Sequence, residues 1–332
     1  MNKKIKWYLS TMWIFQIFKM VIYKISKYLY DISNFWIKIA HYNFWWDFAS
    51  ILPKSMWNRI KNRRLEYNTM FLEKKYSKFI NGYNLKNLQN PINCKKIWIL
   101  WWQWIDNAPD LVKICVSSIK KHSCWYEIIL LDKYNYKNYV NLPNFILKKV
   151  EKKQITITHL SDIIRMALLK DYWWIWVDAT IYINSNIFKS FDNKNLNSNY
   201  PEKIATEKWQ FEKWCWFFIG WKSIKLFNFC YDFFIQYHKD YKYLINYFLI
   251  DYVIYIAYKN FDDIKKDIDN INIKNSWLYD LVKKFNETYN DGKWKNLMNI
   301  PFFKLSWKLK FKEFDEKWNK TIYWNFIQKN KL

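Results

Sequence analysis

Glycine is nearly absent from this chain: three residues in 332, where ordinary usage of roughly 7% would supply about 23. As written, the chain holds no glycine-rich loop ending in Lys-Ser/Thr, the usual cradle for nucleotide phosphates in phosphotransferases. Arginine is equally scarce, with only Arg59, Arg63, Arg64 and Arg165. The four histidines are scattered, so no zinc-binding pattern is visible. Five cysteines (Cys94, Cys115, Cys124, Cys215, Cys230) are odd in number and form no C-x-x-C pair. That favours free thiols in a reducing compartment over a disulfide or metal framework. No uninterrupted apolar run reaches the 18 or so residues of a membrane-spanning helix. A basic start resembles a signal peptide, but Lys19 interrupts the apolar stretch and no small-residue cleavage site follows. Neither an internal repeat nor a flexible linker is apparent.

Lysine and tryptophan are plentiful instead. The net charge is +25 and half of the residues are hydrophobic, enough for a sizeable core. So basic a chain suits anionic partners such as a membrane surface, nucleic acid or phosphorylated substrates. Abundant Lys, Asn, Ile, Tyr and Phe also fit an AT-rich gene, which makes the position of each Arg more informative than that of any Lys. The 23 Trp and three Gly stand as if exchanged. Tyr172-Trp173-Trp174 ends a helical pattern just before a strand pattern, where a left-handed residue is needed and Gly serves best. We therefore expect many of these Trp to be Gly in the native protein, through a genetic code that reads UGA as Gly. Codons of UGG at positions 173 and 174 would refute this.

Residues 1–90 are expected to be helical and basic. Ile14, Phe18, Val21, Ile22, Ile25 and Leu29 recur every three or four residues, with Lys19, Lys24 and Lys27 on the opposite side of the wheel. This describes either an interfacial helix on a membrane or a helix packed on the protein's own core. A second basic cluster, Lys54 to Arg64, adds attraction to anionic lipid. From residue 91 to 332 the texture becomes α/β. Strands are expected at 96–102, 126–132 and 175–178, and helices at 109–121, 145–153 and 161–171. This alternation gives a mostly parallel sheet, with a mainly helical pattern after about residue 240. Such sheets bind ligands beyond their carboxyl edge, where Asp132 and Asp178 fall.

The stretch His159 to Thr180 carries the chemistry. Asp162 and Arg165 share a helical face, where they either pair with each other or meet a polar ligand beside Asp178. An acidic residue ending a buried strand can hold a divalent cation that bridges a diphosphate.

Ser161-Asp162-Ile163-Ile164-Arg165, followed by Tyr172-Trp173-Trp174-Ile175-Trp176-Val177-Asp178-Ala179-Thr180, resembles the capsular polysaccharide synthesis family. Its relatives are the family-32 glycosyltransferases and the bacterial glucosylating toxins, which share the GT-A fold. Trp101-Trp102-Gln103-Trp104 with Ala108-Pro109, Tyr247 to Tyr252, and Ile322-Tyr323-Trp324 resemble further family motifs, over roughly residues 90–325. Positions 104, 173, 174 and 324 are Gly in the family, whereas 101, 102 and 176 are aromatic in both.

The resemblance implies a Rossmann-like GT-A domain that transfers a sugar from a nucleotide-sugar donor to a capsular or other surface glycan, free or lipid-linked. Asp162 and Arg165 would contact the donor's sugar and ribose hydroxyls, with Ser161 and Thr180 beside them. Trp101 would stack on the base, or else be a core aromatic. Asp178 would hold the diphosphate through Mn²⁺ or Mg²⁺. The second Asp of the wider superfamily's D-x-D is replaced by Thr180, so the metal rests on one carboxylate. Asp251 would serve the acceptor side, or else lie solvated on a helix surface. Bulky side chains at 173 and 174 would crowd the diphosphate. The expected setting is cytoplasmic, peripheral at the inner face of an anionic membrane. The rival reading is a non-enzymatic basic protein binding membrane or nucleic acid. The even spread of Lys along the chain speaks against a specific nucleic-acid groove.

Overall fold

A computed structural model describes residues 19, 21–46, 52–86, 88, 92, 95–172, 174–190, 197–199, 215–220, 224–270 and 277–330. Ile14, Phe18 and Trp173 lie outside these residues. The chain divides into two compact units, Met1–Tyr83 with Asp240–Tyr252, and Asn84–Lys239 with Val253–Leu332.

The first unit is helical: α1 (21–34), α2 (Ile37–Trp46), α3 (Lys54–Lys75) and α4 (Ser77–Asn81). Phe35, Ile39, Ala40, Phe71 and Leu72 are buried in it. Its polar centre is a linked set of side chains. Lys27 pairs with the buried Asp31. Asn43 donates to Asp31 at 3.2 Å and to the Ile245 carbonyl at 2.9 Å, and accepts from Arg64 Nε at 3.1 Å. The Arg64 guanidinium also lies over the Trp46 ring. Arg64 is thus an internal residue, and only Lys54, Arg59 and Arg63 of the expected lipid-facing cluster are exposed.

Helix α1 presents its apolar side outward. Val21, Ile22, Ile25, Leu29 and Ile32 are 43%, 50%, 51%, 58% and 38% exposed. At 3.6 residues per turn they fall within an arc of about 100°. Lys27 and Asp31 face inward, so this helix does not bury its apolar stripe in the protein's own core.

The second unit is mixed α/β. Strands β1 (Lys96–Leu100), β2 (Glu127–Leu131) and β3 (Ile175–Val177) form a parallel core in the order β2-β1-β3. The sheet continues through β6 (Cys215–Gly220), antiparallel to β3, to β5 (Asn197–Asn199). A separate antiparallel pair joins β4 (Ile181–Ile183) to β7 (Phe302–Lys304), with Ile181 opposite Lys304. The mainly helical expectation after residue 240 missed β7. Its three residues are too short to register as a period-2 pattern.

The sheet positions the site by alternation. Ile97, Ile99, Ile175 and Val177 pack with Val112, Val116 and Ile119 of helix α5 (Asp110–Lys121). Trp98 and Trp176 point the other way, toward helix α7 (Ile157–Tyr172), and both are fully buried. The Trp98 ring meets Tyr172 at 5.4 Å, and the Arg165 guanidinium lies over the Trp176 ring at 5.0 Å. Residues i and i+2 of a strand share a face, so Asp178 inherits the direction of Trp176. Three of the six prolines start helices, at Pro53, Pro109 and Pro143, where a fixed φ near −55° and a missing N–H cost nothing.

Six described non-glycine residues have positive φ: Lys95, Trp104 (74°), Cys124, Lys153, Trp174 (70°) and Trp318 (60°). No described glycine does. Half of these positions are therefore held by tryptophan, among the least suited residue types, while the described glycines occupy ordinary conformations. Trp324 differs, since it lies within the helix Ile322–Lys329, where its N–H is capped by Thr321 and nothing demands glycine.

Candidate active site

The carboxyl edge of the parallel strands gathers Trp101, Asp132 and Asp178. Asp132 is spoken for locally. Its Oδ1 accepts the N–H groups of Tyr134 and Asn135 and so builds the turn after β2. Asp178 is the centre of an ion cluster. Its Oδ1 accepts from Trp176 Nε1 at 2.8 Å and Arg165 at 3.2 Å, and its Oδ2 from Lys304 Nζ at 2.7 Å. Burial alone would push this carboxyl up. The charges of Lys304 and Arg165, with hydrogen bonds from Lys304 and Trp176, hold it below the ordinary carboxylate range instead.

Arg165 is shared. It lies 3.2 Å from Asp178 and 3.7 Å from Asp162, so the two residues that share a helical face pair with each other beside Asp178. The Arg165 and Asp162 side chains are 7% and 11% exposed, whereas those of Lys304 and Asp178 are 22% and 27% exposed. Lys304 and Asp178 are thus the outer groups, and of the inner ones Arg165 holds the Asp178 carboxylate. Lys304 lies 126 residues from Asp178 in sequence, and no motif singled it out. Only the β4–β7 pairing brings it there.

Trp101 is half-buried at the end of β1, and its ring meets the exposed Trp307 edge-on at 5.7 Å. Ser161 and Thr180 are half-buried, and the Thr180 carbonyl accepts from Leu305 N–H. Asp251 belongs to the other unit and lies in the first turn of helix α9 (Leu249–Asn260), only 3% exposed. It is a buried residue and not a solvated one.

Trp174 sits at the opposite end of the sheet from the cluster. It directly precedes β3 and packs at 5.4 Å on Tyr126, which precedes β2. The expected crowding of the diphosphate by this side chain is therefore corrected: parallel strands put residue 174 at their amino edge and Asp178 at their carboxyl edge. Trp104, in the loop after β1, does lie at the carboxyl edge.

Two of the four histidines meet, against expectation from their spacing. His159 of α7 and His238 of helix α8 (Ile224–Asp240) approach Nε2 to Nε2 at 2.9 Å, both buried. One must donate and the other accept, so a single proton lies between them. His159 Nδ1 is 3.6 Å from Asp162, which ties the pair to the ion cluster.

Among the described residues the donor set for a divalent cation does not fit. Asp178 is the more exposed of the cluster's two carboxylates, and both of its oxygens already accept from cations or the indole. Among the described residues no group of three His, Cys, Asp or Glu side chains could share an ion. The cluster's carboxylates are matched by Arg165 and Lys304, so it offers a divalent ion no net negative charge.

The model of the capsular polysaccharide synthesis protein family matches residues 49–326. The chain belongs to this family. No curated protein matches the chain. The matched span contains the whole ion cluster, and family membership associates the chain with capsular polysaccharide synthesis. Its parallel three-stranded core is consistent with a Rossmann-like fold.

Proposed function

We propose that this protein is a glycosyltransferase of GT-A type, related to glycosyltransferase family 32, that moves a sugar from a nucleotide-sugar donor to a capsular or other surface glycan. The observation that carries this reading is the Asp178–Lys304–Arg165 cluster at the carboxyl edge of a parallel sheet, in a chain of this family. That edge is where such sheets bind nucleotides. Positive side chains held by a fixed carboxylate suit a departing diphosphate. Trp101 and Trp307 offer aromatic surface for the base, and Ser161, Asp162 and Thr180 lie beside the cluster.

The exposed stripe of α1 supports a place on an anionic membrane surface, at the inner face of the cell membrane. Five aliphatic side chains taken from half-exposed to buried would contribute about 5 kcal/mol. Lys54, Arg59 and Arg63 add electrostatic attraction.

The sequence is further proposed to carry Trp where the native protein has Gly, through UGA read as Gly. Left-handed Trp104, Trp174 and Trp318 support it, as do the exchanged counts of the two residue types. At Trp174 the buried ring pulls the other way, and at Trp324 the backbone asks for nothing. Peptide mass spectrometry of the protein from its own organism tests this. A tryptophan mass at 104 and 318 ends the idea.

The activity test is nucleotide release from a panel of UDP- and GDP-sugars. The full chain would be made with Trp and with Gly at 104, 173 and 174, with Asp178→Asn as control. Turnover of one donor, lost in the control, is the expected result. Absence of binding and turnover in a folded sample, together with RNA affinity falling steeply with salt, would favour the basic binding protein instead.

A further inference from the structure

We propose that Lys304 supplies the positive charge on the departing diphosphate that a divalent cation would otherwise supply, with Arg165 and Asp178 holding it in place. This rests on the transferase reading above. Three observations carry it. The Lys304 ammonium is bound 2.7 Å from Asp178, the strand-end carboxylate expected to hold a metal. Its side chain is about three times as exposed as that of Arg165, so it is the cation that an incoming phosphate meets first. Among the described ion pairs of the cluster two carboxylates are matched by two cations, so a dianionic diphosphate meets there no excess of negative charge.

The geometry also gives Lys304 a fixed origin. It ends β7, opposite Ile181 of β4, and its own N–H donates to the Leu278 carbonyl at 2.9 Å. An ammonium carries three N–H donors, so it can hold Asp178 and a phosphate oxygen together. In the transfer step the bond from the anomeric carbon to the diphosphate oxygen breaks, and its electron pair goes to that oxygen, which Lys304 stabilises. The acceptor hydroxyl oxygen bonds to the anomeric carbon and passes its proton to the departing diphosphate. Asp178 is then a positioning residue: it fixes Lys304 and takes no proton.

The test uses the full-length protein in the form active in the donor panel, assayed in EDTA and with added Mn²⁺. The variants are Lys304→Met and Lys304→Arg. Binding of UDP and GDP is compared with that of uridine and guanosine. Turnover is expected to persist in EDTA within about twofold. Lys304→Met should lower kcat by at least ~100-fold, the scale of losing one donor aimed at developing negative charge. It should weaken the nucleoside diphosphate by ~10-fold or more and leave the nucleoside unchanged, a split that mere misfolding would not produce. Lys304→Arg should restore part of both. Should Lys304→Met fail to fold, the EDTA result and Lys304→Arg decide alone. Turnover abolished by EDTA and restored by Mn²⁺ overturns the role of Lys304 and leaves the transferase standing, as does a Lys304→Met enzyme that matches wild type. No turnover under either condition overturns both.

Discussion

Replacing Trp318 with glycine should make this protein more stable, although it removes the largest side chain there is. The residue sits in the turn Asp315–Asn319, where its N–H donates to the Asp315 carbonyl at 3.1 Å and its φ is 60°. Left-handed backbone costs a residue bearing a Cβ roughly 1–2 kcal/mol, which glycine does not incur. Against this stands the larger chain entropy glycine has when unfolded, about 0.5–1 kcal/mol. The ring is 83% exposed, so little burial is lost with it. The net gain is about 0.5–1 kcal/mol, or roughly 1–4 °C in Tm for a unit of this size. Trp174→Gly is the contrast. Its φ is 70°, but the ring is 4% exposed, and deleting a buried Trp costs roughly 3–5 kcal/mol before the strain is credited. With the same entropy and strain contributions the net is a loss of about 1.5–5 kcal/mol. Thermal unfolding of the full chain followed by circular dichroism measures both. Trp318→Ala keeps the Cβ and should gain nothing. A Tm for Trp318→Ala equal to that of Trp318→Gly, or a fall in Tm for Trp318→Gly, refutes the strain argument.

Asp178→Asn leaves Lys304 and Arg165 without their carboxylate. The pair is about a quarter exposed, which reduces the cost of a broken buried ion pair to about 1–3 kcal/mol at pH 7. The native carboxyl is depressed, so its contribution is fully present above its unfolded value and lost as pH falls through the lower folded one. Urea titrations should therefore show wild type and Asp178→Asn converging only at pH below about 3.8. His238→Leu leaves His159 Nε2 buried without its partner and should cost about 1–3 kcal/mol in the same titration, with no change if the pair is incidental. Ile25→Asp with Leu29→Asp should abolish cosedimentation with anionic vesicles while leaving nucleotide release in solution intact. Equal cosedimentation would show that the α1 stripe has another use.

Much of the α/β half was legible because its elements are marked by strong local signals. The apolar runs Lys96–Leu100 and Glu127–Leu131 and the helices starting after Pro109 and Pro143 stand close to where periodicity and punctuation put them. Asp178 was legible as a strand-end carboxylate for the same reason. What neutralises it was not. Lys304 looks like any of its many fellow lysines, and only a three-residue strand pairing across more than a hundred residues distinguishes it. The His159–His238 contact is hidden in the same way, being 79 residues apart on two helices. Helix α1 shows a different limit. The wheel identified its apolar stripe, but a wheel carries no information on which side faces the protein, and here the charged side does. The crowding expected from Trp174 failed because adjacency in sequence was taken for adjacency in space across a strand.

The distance along the chain between Asp178 and Lys304 also bears on how the molecule is made. At roughly 5–20 residues per second, the ribosome adds the 126 intervening residues over about 6–25 s. Throughout that interval the parallel core, helix α7 and Arg165 can all be in place, yet the carboxylate lacks its outer cation. A nascent chain stopped anywhere short of β7 would have the parallel core but no complete charge cluster. On the proposed function, competence to bind a diphosphate would arrive only with β7, so a product truncated before it would not tie up donor sugars.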